Sequence, residues 1–366
     1  MNIIKALVVD DTIVYRKIVG DALKQMPGIE VVGTANNGKI ALSKIKTLKP
    51  DLMTLDIEMP EMNGIELLQE LRHMDNPPLV IMVSTLTHKG GELTLRAMEL
   101  GAFDVLPKPE DGKMAENMRK VKETLEPIVK HVKRHKFGIT DPPVKTKPAA
   151  KITTKAPVLK AGDRPVRSRP SGIVRSKSEI IGIGISTGGP NALSKMIPML
   201  PKDLKVPVLI VQHMPPVFTE SLANSLNKKS ALEVVEARDG DTIKPGTVFI
   251  APGGKQMKIV AGADGLTRKI RITDDPPENS CKPSADYLFR SIAQHYVGRA
   301  TGVIMTGMGS DGSKGLYQMK NNGSFIIAQD EKTCTVYGMP KEPTESGIVD
   351  VIAPLEKIAD EIVKTV

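Results

Sequence analysis

The sequence predicts two doubly wound, parallel-sheet α/β domains joined by a flexible linker. Three observations carry this reading. Short apolar runs alternate with helix-like stretches at βαβ spacing over residues 1–126, and again over 179–366. Basic residues and prolines concentrate in the stretch between them. A chain of 366 residues can also bury two or three separate cores. With no Trp and only 3% aromatic residues, those cores must be aliphatic.

In the first domain the spacing predicts strands at Ile3–Val9, Ile29–Ala35, Leu52–Leu55, Leu79–Ser84 and Phe103–Leu106. Helices fall between them at Val14–Gln25, Gly38–Leu48, Gly64–Arg72 and Glu92–Leu100, and a last one at about Lys113–Val132 runs into the linker. In the second domain strands are expected at Ile180–Ile185, Val206–Gln212, Val248–Ile250, Ala300–Met305 and Ser324–Ala328. Its helices are expected at Ala192–Leu200, Glu220–Lys228, Ala285–Tyr296, Ser313–Asn321 and Leu355–Lys364. Residues 233–275, rich in short β-type runs and turns such as Asp239-Gly240-Asp241, read as an antiparallel excursion.

The formal net charge of +9 belongs to one segment. Residues 128–178 hold fourteen Lys and Arg against two Asp, which leaves the rest of the chain at −3. Seven prolines and little periodicity make 127–178 a self-repelling linker rather than a folded nucleic-acid-binding surface, since interleaved aromatics and amphipathic spacing are missing. Two cysteines, Cys281 and Cys334, have no metal-like spacing and read as inert thiols of a reduced, cytoplasmic protein. The sequence shows neither a secretory signal pattern nor an apolar run long enough to span a membrane.

Asp10 and Asp11 follow the first strand and Asp56 follows the third, so the three carboxylates converge at one sheet rim, where ligand sites of such folds lie. Together they repel unless a cation intervenes, and hard oxygen ligands suit Mg²⁺. Ser84 ends the fourth strand and Lys108 follows the fifth, bringing a hydroxyl and an ammonium to the same rim. An aspartate so placed can attack a phosphoryl donor. Together with Asn63-Gly64 and Lys108-Pro109, these residues resemble the receiver domain of two-component response regulators. That resemblance implies a five-stranded flavodoxin-like fold, phosphorylation of Asp56 by a histidine kinase, and Ser84 and Lys108 as switch residues. Val105 stands where several receivers carry an aromatic switch residue.

In the second domain Gly184-Ile185-Ser186-Thr187-Gly188-Gly189-Pro190 places a serine on a tight turn between strand and helix. Such a turn presents a nucleophile or simply a hydrogen-bonded serine. A dinucleotide fingerprint fails, because Thr187 occupies the third glycine position and no acidic residue ends a strand about 20 positions on. His213, directly after the Val206–Gln212 strand, is the histidine placed to serve Ser186 as base, although a strand-end histidine can be structural. Asp311, in Thr306-Gly307-Met308-Gly309-Ser310-Asp311-Gly312, is either the orienting carboxylate or a helix N-cap. The order Ser, His, Asp differs from that of α/β-hydrolases.

These two runs, with Gln212-His213-Met214-Pro215 and Pro283-Ser284-Ala285-Asp286-Tyr287-Leu288-Phe289, resemble the chemotaxis protein-glutamate methylesterases fused to a receiver. The resemblance implies a Rossmann-like catalytic domain needing no cofactor for the esterase reaction. It also implies catalysis by Ser186, His213 and Asp311, with oxyanion donors at the Thr187 and Met308 backbones. The expected reaction is hydrolysis of glutamate methyl esters on methyl-accepting chemotaxis receptors, with deamidation of receptor glutamines, and without nucleic acid or membrane insertion. The alternatives are a response regulator with a non-catalytic output domain or one that binds nucleic acid.

Overall fold

The computed structural model describes residues 3–109, 113–137 and 176–366. In the first domain β1 (Ile4–Val9), β2 (Ile29–Ala35), β3 (Leu52–Asp56), β4 (Leu79–Ser84) and β5 (Asp104–Pro107) alternate with α1 (Ile13–Lys24), α2 (Gly38–Leu48), α3 (Gly64–Leu71), α4 (His88–Glu99) and α5 (Met114–Phe137). The sheet order is β2-β1-β3-β4-β5, and every pairing is parallel. Helices on both faces explain why β1, β3 and β4 are near-continuous apolar runs.

Two boundaries in this domain differ from the sequence reading by more than one residue. α4 begins at His88 rather than Glu92, because Thr87 caps it by accepting the Gly90 N–H at 3.0 Å. Gly90 and Gly91, poor helix formers, hide that start from propensity. α5 continues to Phe137, so the first eleven residues of the expected 127–178 linker are helical. Ile128, Val129 and Val132 are buried with Ile18, Val19 and Ala22 of α1, and this packing outweighs the internal Pro127. The remainder of the expected linker, 138–175, lies outside the described residues.

The second domain comprises β6 (Ile180–Ile185), α6 (Gly189–Met196), β7 (Val208–Gln212), α7 (Phe218–Lys229), β8 (Glu233–Glu236), β9 (Thr247–Ile250), β10 (Gln256–Ala261), β11 (Arg268–Thr273), α8 (Ala285–His295), β12 (Ala300–Ile304), α9 (Ser313–Asn321), β13 (Phe325–Gln329), α10 (Lys341–Glu345), β14 (Val351–Ala353) and α11 (Leu355–Val363). Seven strands form a parallel sheet in the order β14-β13-β12-β6-β7-β9-β8. The chain builds outward from β6 in both directions, which makes the β12–β6–β7 edge the topological switch point.

The antiparallel excursion is confined to the β10–β11 hairpin, where Met257 pairs with Ile272 and Ile259 with Ile270. β8 and β9, from the same stretch, instead join the main sheet in parallel. Their connection over 237–246 is long enough to return the chain to the same edge, where a tight turn would have reversed it. Among the described residues no helix is long and apolar enough to cross a membrane.

The domains meet along α4, which packs on α6 and α7. Glu99 accepts from Lys229 and from the Ser194 hydroxyl, and His88 Nδ1 lies 3.5 Å from Glu220. Gly91 allows the closest approach: a Cβ there would stand 2.5 Å from Ser221 Oγ and 3.4 Å from the Phe218 ring. Gly91→Val is therefore expected to separate α4 from α7 and to raise hydrogen–deuterium exchange along α7. Unchanged exchange would rule out this close packing in solution.

Candidate active site

The receiver rim gathers residues from the ends of four strands. Lys108 Nζ lies 2.7 Å from Asp56 Oδ2 and 3.0 Å from Asp10 Oδ2. Asp56 Oδ1 accepts the Ile57 N–H at 2.8 Å, and Asp10 Oδ1 accepts the Thr12 N–H at 2.8 Å. Asp10 and Asp56 are buried, whereas Asp11 is exposed. Burial pushes the Asp56 carboxyl up to about 6; repulsion from Asp10 adds to this, while the Lys108 hydrogen bond opposes it. Burial also raises Asp10. For Lys108 burial works downward, but the Asp56 hydrogen bond and both carboxylate charges leave it raised.

Asp10 Oδ2 touches only the Lys108 charge and is otherwise without a hydrogen-bond partner, although it is buried. One oxygen from each of Asp10, Asp11 and Asp56 lies within 4.8 Å of the others. A cavity of about 210 Å³ beside them is lined by Asp11, Asp56, Ser84 and Lys108. The Ser84 hydroxyl donates to the Gly90 carbonyl at 3.4 Å.

The second rim uses three adjacent strand ends. Ser186 follows β6 on a turn that admits only glycine at its next two bends. Gly188 has φ +79°, and a Cβ on Gly189 would stand 1.8 Å from Gln212 Oε1. The turn is pinned by the Gly189 N–H to the Ser186 carbonyl at 2.7 Å and by Gln212 Nε2 to the same oxygen at 3.0 Å. Ile185 is in register with Gln212, so the next residues, Ser186 and His213, leave neighbouring strands together.

His213 Nε2 lies 2.8 Å from Asp311 Oδ2. Asp311 is buried and does not cap its own helix, α9, whose N-cap is Gly312. It faces the N-terminus of α8 instead. There Oδ2 accepts the Ala285 N–H at 2.6 Å, and Oδ1 accepts Ser284 Oγ at 2.8 Å, Asn279 Nδ2 at 2.9 Å and the Asp286 N–H at 3.3 Å. Burial alone would raise this carboxyl, but the His213 bond and charge, with Asn279 and Ser284, bring it down to about 2. Burial likewise works to lower His213, yet the Asp311 hydrogen bond and the neighbouring Cys281 lift it to about 9.

The sequence-predicted groups are thus brought together unequally. His213 and Asp311 touch. Among the described residues the His213 ring makes no hydrogen bond to Ser186; its Nδ1 faces Cys281 Sγ at 3.7 Å. The backbone N–H groups of Thr187 and Met308 donate to no other described group and so remain available to a ligand.

Sequence reasoning missed four residues here. Asn279, Ser284 and Cys281 lie in or beside the Pro283–Phe289 run that had been singled out, but nothing in their spacing tied them to Asp311 or His213. The fourth, Asp104, belongs to the other domain. Its Oδ2 accepts the Thr187 hydroxyl at 2.7 Å, and burial raises its pKa. No signal within one domain could reveal a contact made by docking two.

Residues 6–119 match the response regulator receiver domain family, and residues 181–362 match the CheB methylesterase family. Fold and rims therefore define a receiver joined to a methylesterase-type α/β domain. The chain is 54% identical over 366 residues to a protein-glutamate methylesterase/protein-glutamine glutaminase of Desulfotalea psychrophila, covering 100% of this chain and 99% of the relative. It is 44% identical to the protein of the same description from Bacillus subtilis, over 99% of this chain and 98% of that one. The CheB methylesterase catalytic domain of Thermotoga maritima superposes with a TM-score of 0.50 at 40% identity, over 52% of this chain and 100% of that structure. The chain belongs to the protein-glutamate methylesterase/protein-glutamine glutaminase family.

The hydrogen-bond pattern makes Asp311 the largest cause of the high His213 pKa, with Cys281 second. Asp311→Asn should bring the imidazole titration down from about 9, because it removes the largest raising contribution and leaves only Cys281 to oppose burial. Nitrogen NMR of the ring reads this directly; an unchanged titration would assign the shift elsewhere.

Proposed function

We propose that this chain is a phosphorylation-controlled hydrolase of glutamate methyl esters on methyl-accepting chemotaxis receptors, and that it also deamidates receptor glutamines. The observation that carries the reading is the His213–Asp311 pair, set on strand ends flanking the Ser186 turn. Ser186 Oγ attacks the γ-carbonyl carbon while His213 takes its proton. The backbone N–H groups of Thr187 and Met308 receive the oxyanion, each such donor typically contributing about 10²–10³ in rate. The intermediate collapses as His213 returns the proton to methanol, or to ammonia from an amide. Water, deprotonated by His213, then cleaves the acyl-enzyme and leaves a receptor carboxylate. Asp311, ionised and fixed by its donors, holds the imidazolium throughout.

The same reading assigns the control. Asp56 receives phosphate from a histidine kinase. The Asp10, Asp11 and Asp56 oxygens, one of them buried without a hydrogen-bond partner, fit Mg²⁺, which when bound would offset phosphoryl charge at this rim. Ser84 and Lys108 then turn toward the new oxygens. Without phosphate, Asp104 holds the residue next to Ser186 and the receiver covers the cleft. An imidazole raised to about 9 is mostly protonated at neutral pH, which supports reading this arrangement as the resting one. The units are a receiver, a connecting segment and a catalytic domain, working in the cytoplasm. A nucleic-acid-binding output has no support, since the excess positive charge falls on 128–178 rather than on the catalytic domain.

Two variants test this. Ser186→Ala should reduce methanol release from methylated receptors by about 10⁴-fold or more, and normal turnover would end the proposal. Asp104→Ala should raise the activity of the unphosphorylated protein roughly fivefold to tenfold, the equivalent of about one lost hydrogen bond. A fall in basal activity would argue that Asp104 does not restrain the cleft.

A further inference from the structure

Cys281 stands where neither the fold nor the reaction asks for a thiol. It closes a four-residue turn in which Glu278 and Cys281 exchange backbone hydrogen bonds at 3.1 and 2.7 Å. Arg290 anchors the turn through Glu278 Oε2 at 2.7 Å. Cys281 is half-buried and unpaired with Cys334. Its sulfur lies 3.7 Å from His213 Nδ1, and the sulfur, an imidazole nitrogen and an Asp311 oxygen all lie within 4.8 Å of one another.

We propose that Cys281 and His213, braced by Asp311, form a binding site for a thiophilic divalent cation of the Zn²⁺ type, and that filling it shuts off the esterase. Three features of the geometry favour this. Zn²⁺ bonds of about 2.3 Å to sulfur and about 2.0 Å to nitrogen, at a tetrahedral angle, separate the two donors by about 3.5 Å. The observed 3.7 Å requires almost no movement. Asp311 holds the opposite nitrogen, Nε2, the carboxylate–histidine pairing that orients metal-bound imidazoles. A soft thiolate beside an imidazole also selects Zn²⁺ over the hard Mg²⁺ suited to the receiver carboxylates. On binding, the Cys281 thiol proton and any imidazolium proton at Nδ1 pass to solvent, and the metal takes the freed sulfur and nitrogen lone pairs. The nitrogen so engaged is the one not held by Asp311. Binding stands on this geometry alone, whereas inhibition rests also on His213 being the base for Ser186.

The test uses the full chain with excess Mg²⁺ to occupy the receiver carboxylates and Co²⁺ as a spectroscopic probe. One Co²⁺ per chain should give a thiolate-to-cobalt charge-transfer band, displaced by Zn²⁺, lost in Cys281→Ser and kept in Cys334→Ser. No band, or a band that survives Cys281→Ser, overturns the site. In parallel, Zn²⁺ should suppress methanol release reversibly, and Cys281→Ser should raise the inhibitory concentration roughly tenfold or more. A chain that shows the cobalt band but keeps full turnover with Zn²⁺ bound overturns the inhibition and the role of His213, while leaving the binding site standing.

Discussion

Parallel strands covered on both faces can carry ionised groups only at their ends. Within β3 and β6 every residue is buried, and an ionised side chain placed in the middle of either strand, rather than at its carboxyl end as Asp56 is, would have no partner. The two sheets therefore push their chemistry to the carboxyl ends, where the chain leaves the ladder and its next side chains are free to turn inward. Asp10, Asp56, Ser84 and Lys108 mark one such rim. Ser186, His213 and Asp311 mark another, on the three central strands of a sheet grown outward from β6. One geometric constraint thus generates both the receiving site and the hydrolytic site.

What separates the rims is how many donors each buried carboxylate collects. Asp56 has one lysine and one backbone N–H, and Asp10 sits beside it; desolvation prevails and its carboxyl lies near 6. Asp311 is also buried, yet it collects an imidazole, an amide, a hydroxyl and the N-terminal N–H groups of α8, and it falls to about 2. The first is a carboxylate whose charge is incompletely compensated, which suits the phosphoryl acceptor proposed for this rim. The second is fixed as an anion across the physiological range, and it can hold a cationic histidine without competing for its proton.

Much of this was legible in the sequence. β2, α2, β4, β6 and α9 begin and end where periodicity and turn residues place them, because their signals are local. Gly188-Gly189 announced a turn that no Cβ could enter. Features decided by tertiary packing were not legible. α5 runs through Pro127 because α1 lies against it, and β8 runs parallel because β9 offers it an edge. Asp311 could be read as the orienting carboxylate or as the cap of α9; its side chain turns to α8, a helix 26 residues upstream. Cys281 looked inert until the fold set it against an imidazole.

Asp104 is the furthest of these from sequence reach, and its position explains how the rims can communicate. It begins β5, and Lys108 follows the end of the same strand. Four residues of extended chain span about 13 Å, with a hydrogen bond to Thr187 at one end and the Asp56 ion pair at the other. Beside β5, Ser84 is bonded to the Gly90 carbonyl, and the next residue, Gly91, is where α4 presses on α7. A phosphoryl group on Asp56 would compete for both Lys108 and Ser84. The first competition pulls on the strand carrying Asp104, and the second frees the start of the helix that docks the domains. Neither path needs an aromatic relay, which accounts for why Val105 can stand where other receivers carry one. The signal would travel through backbone that is already in contact with the catalytic domain.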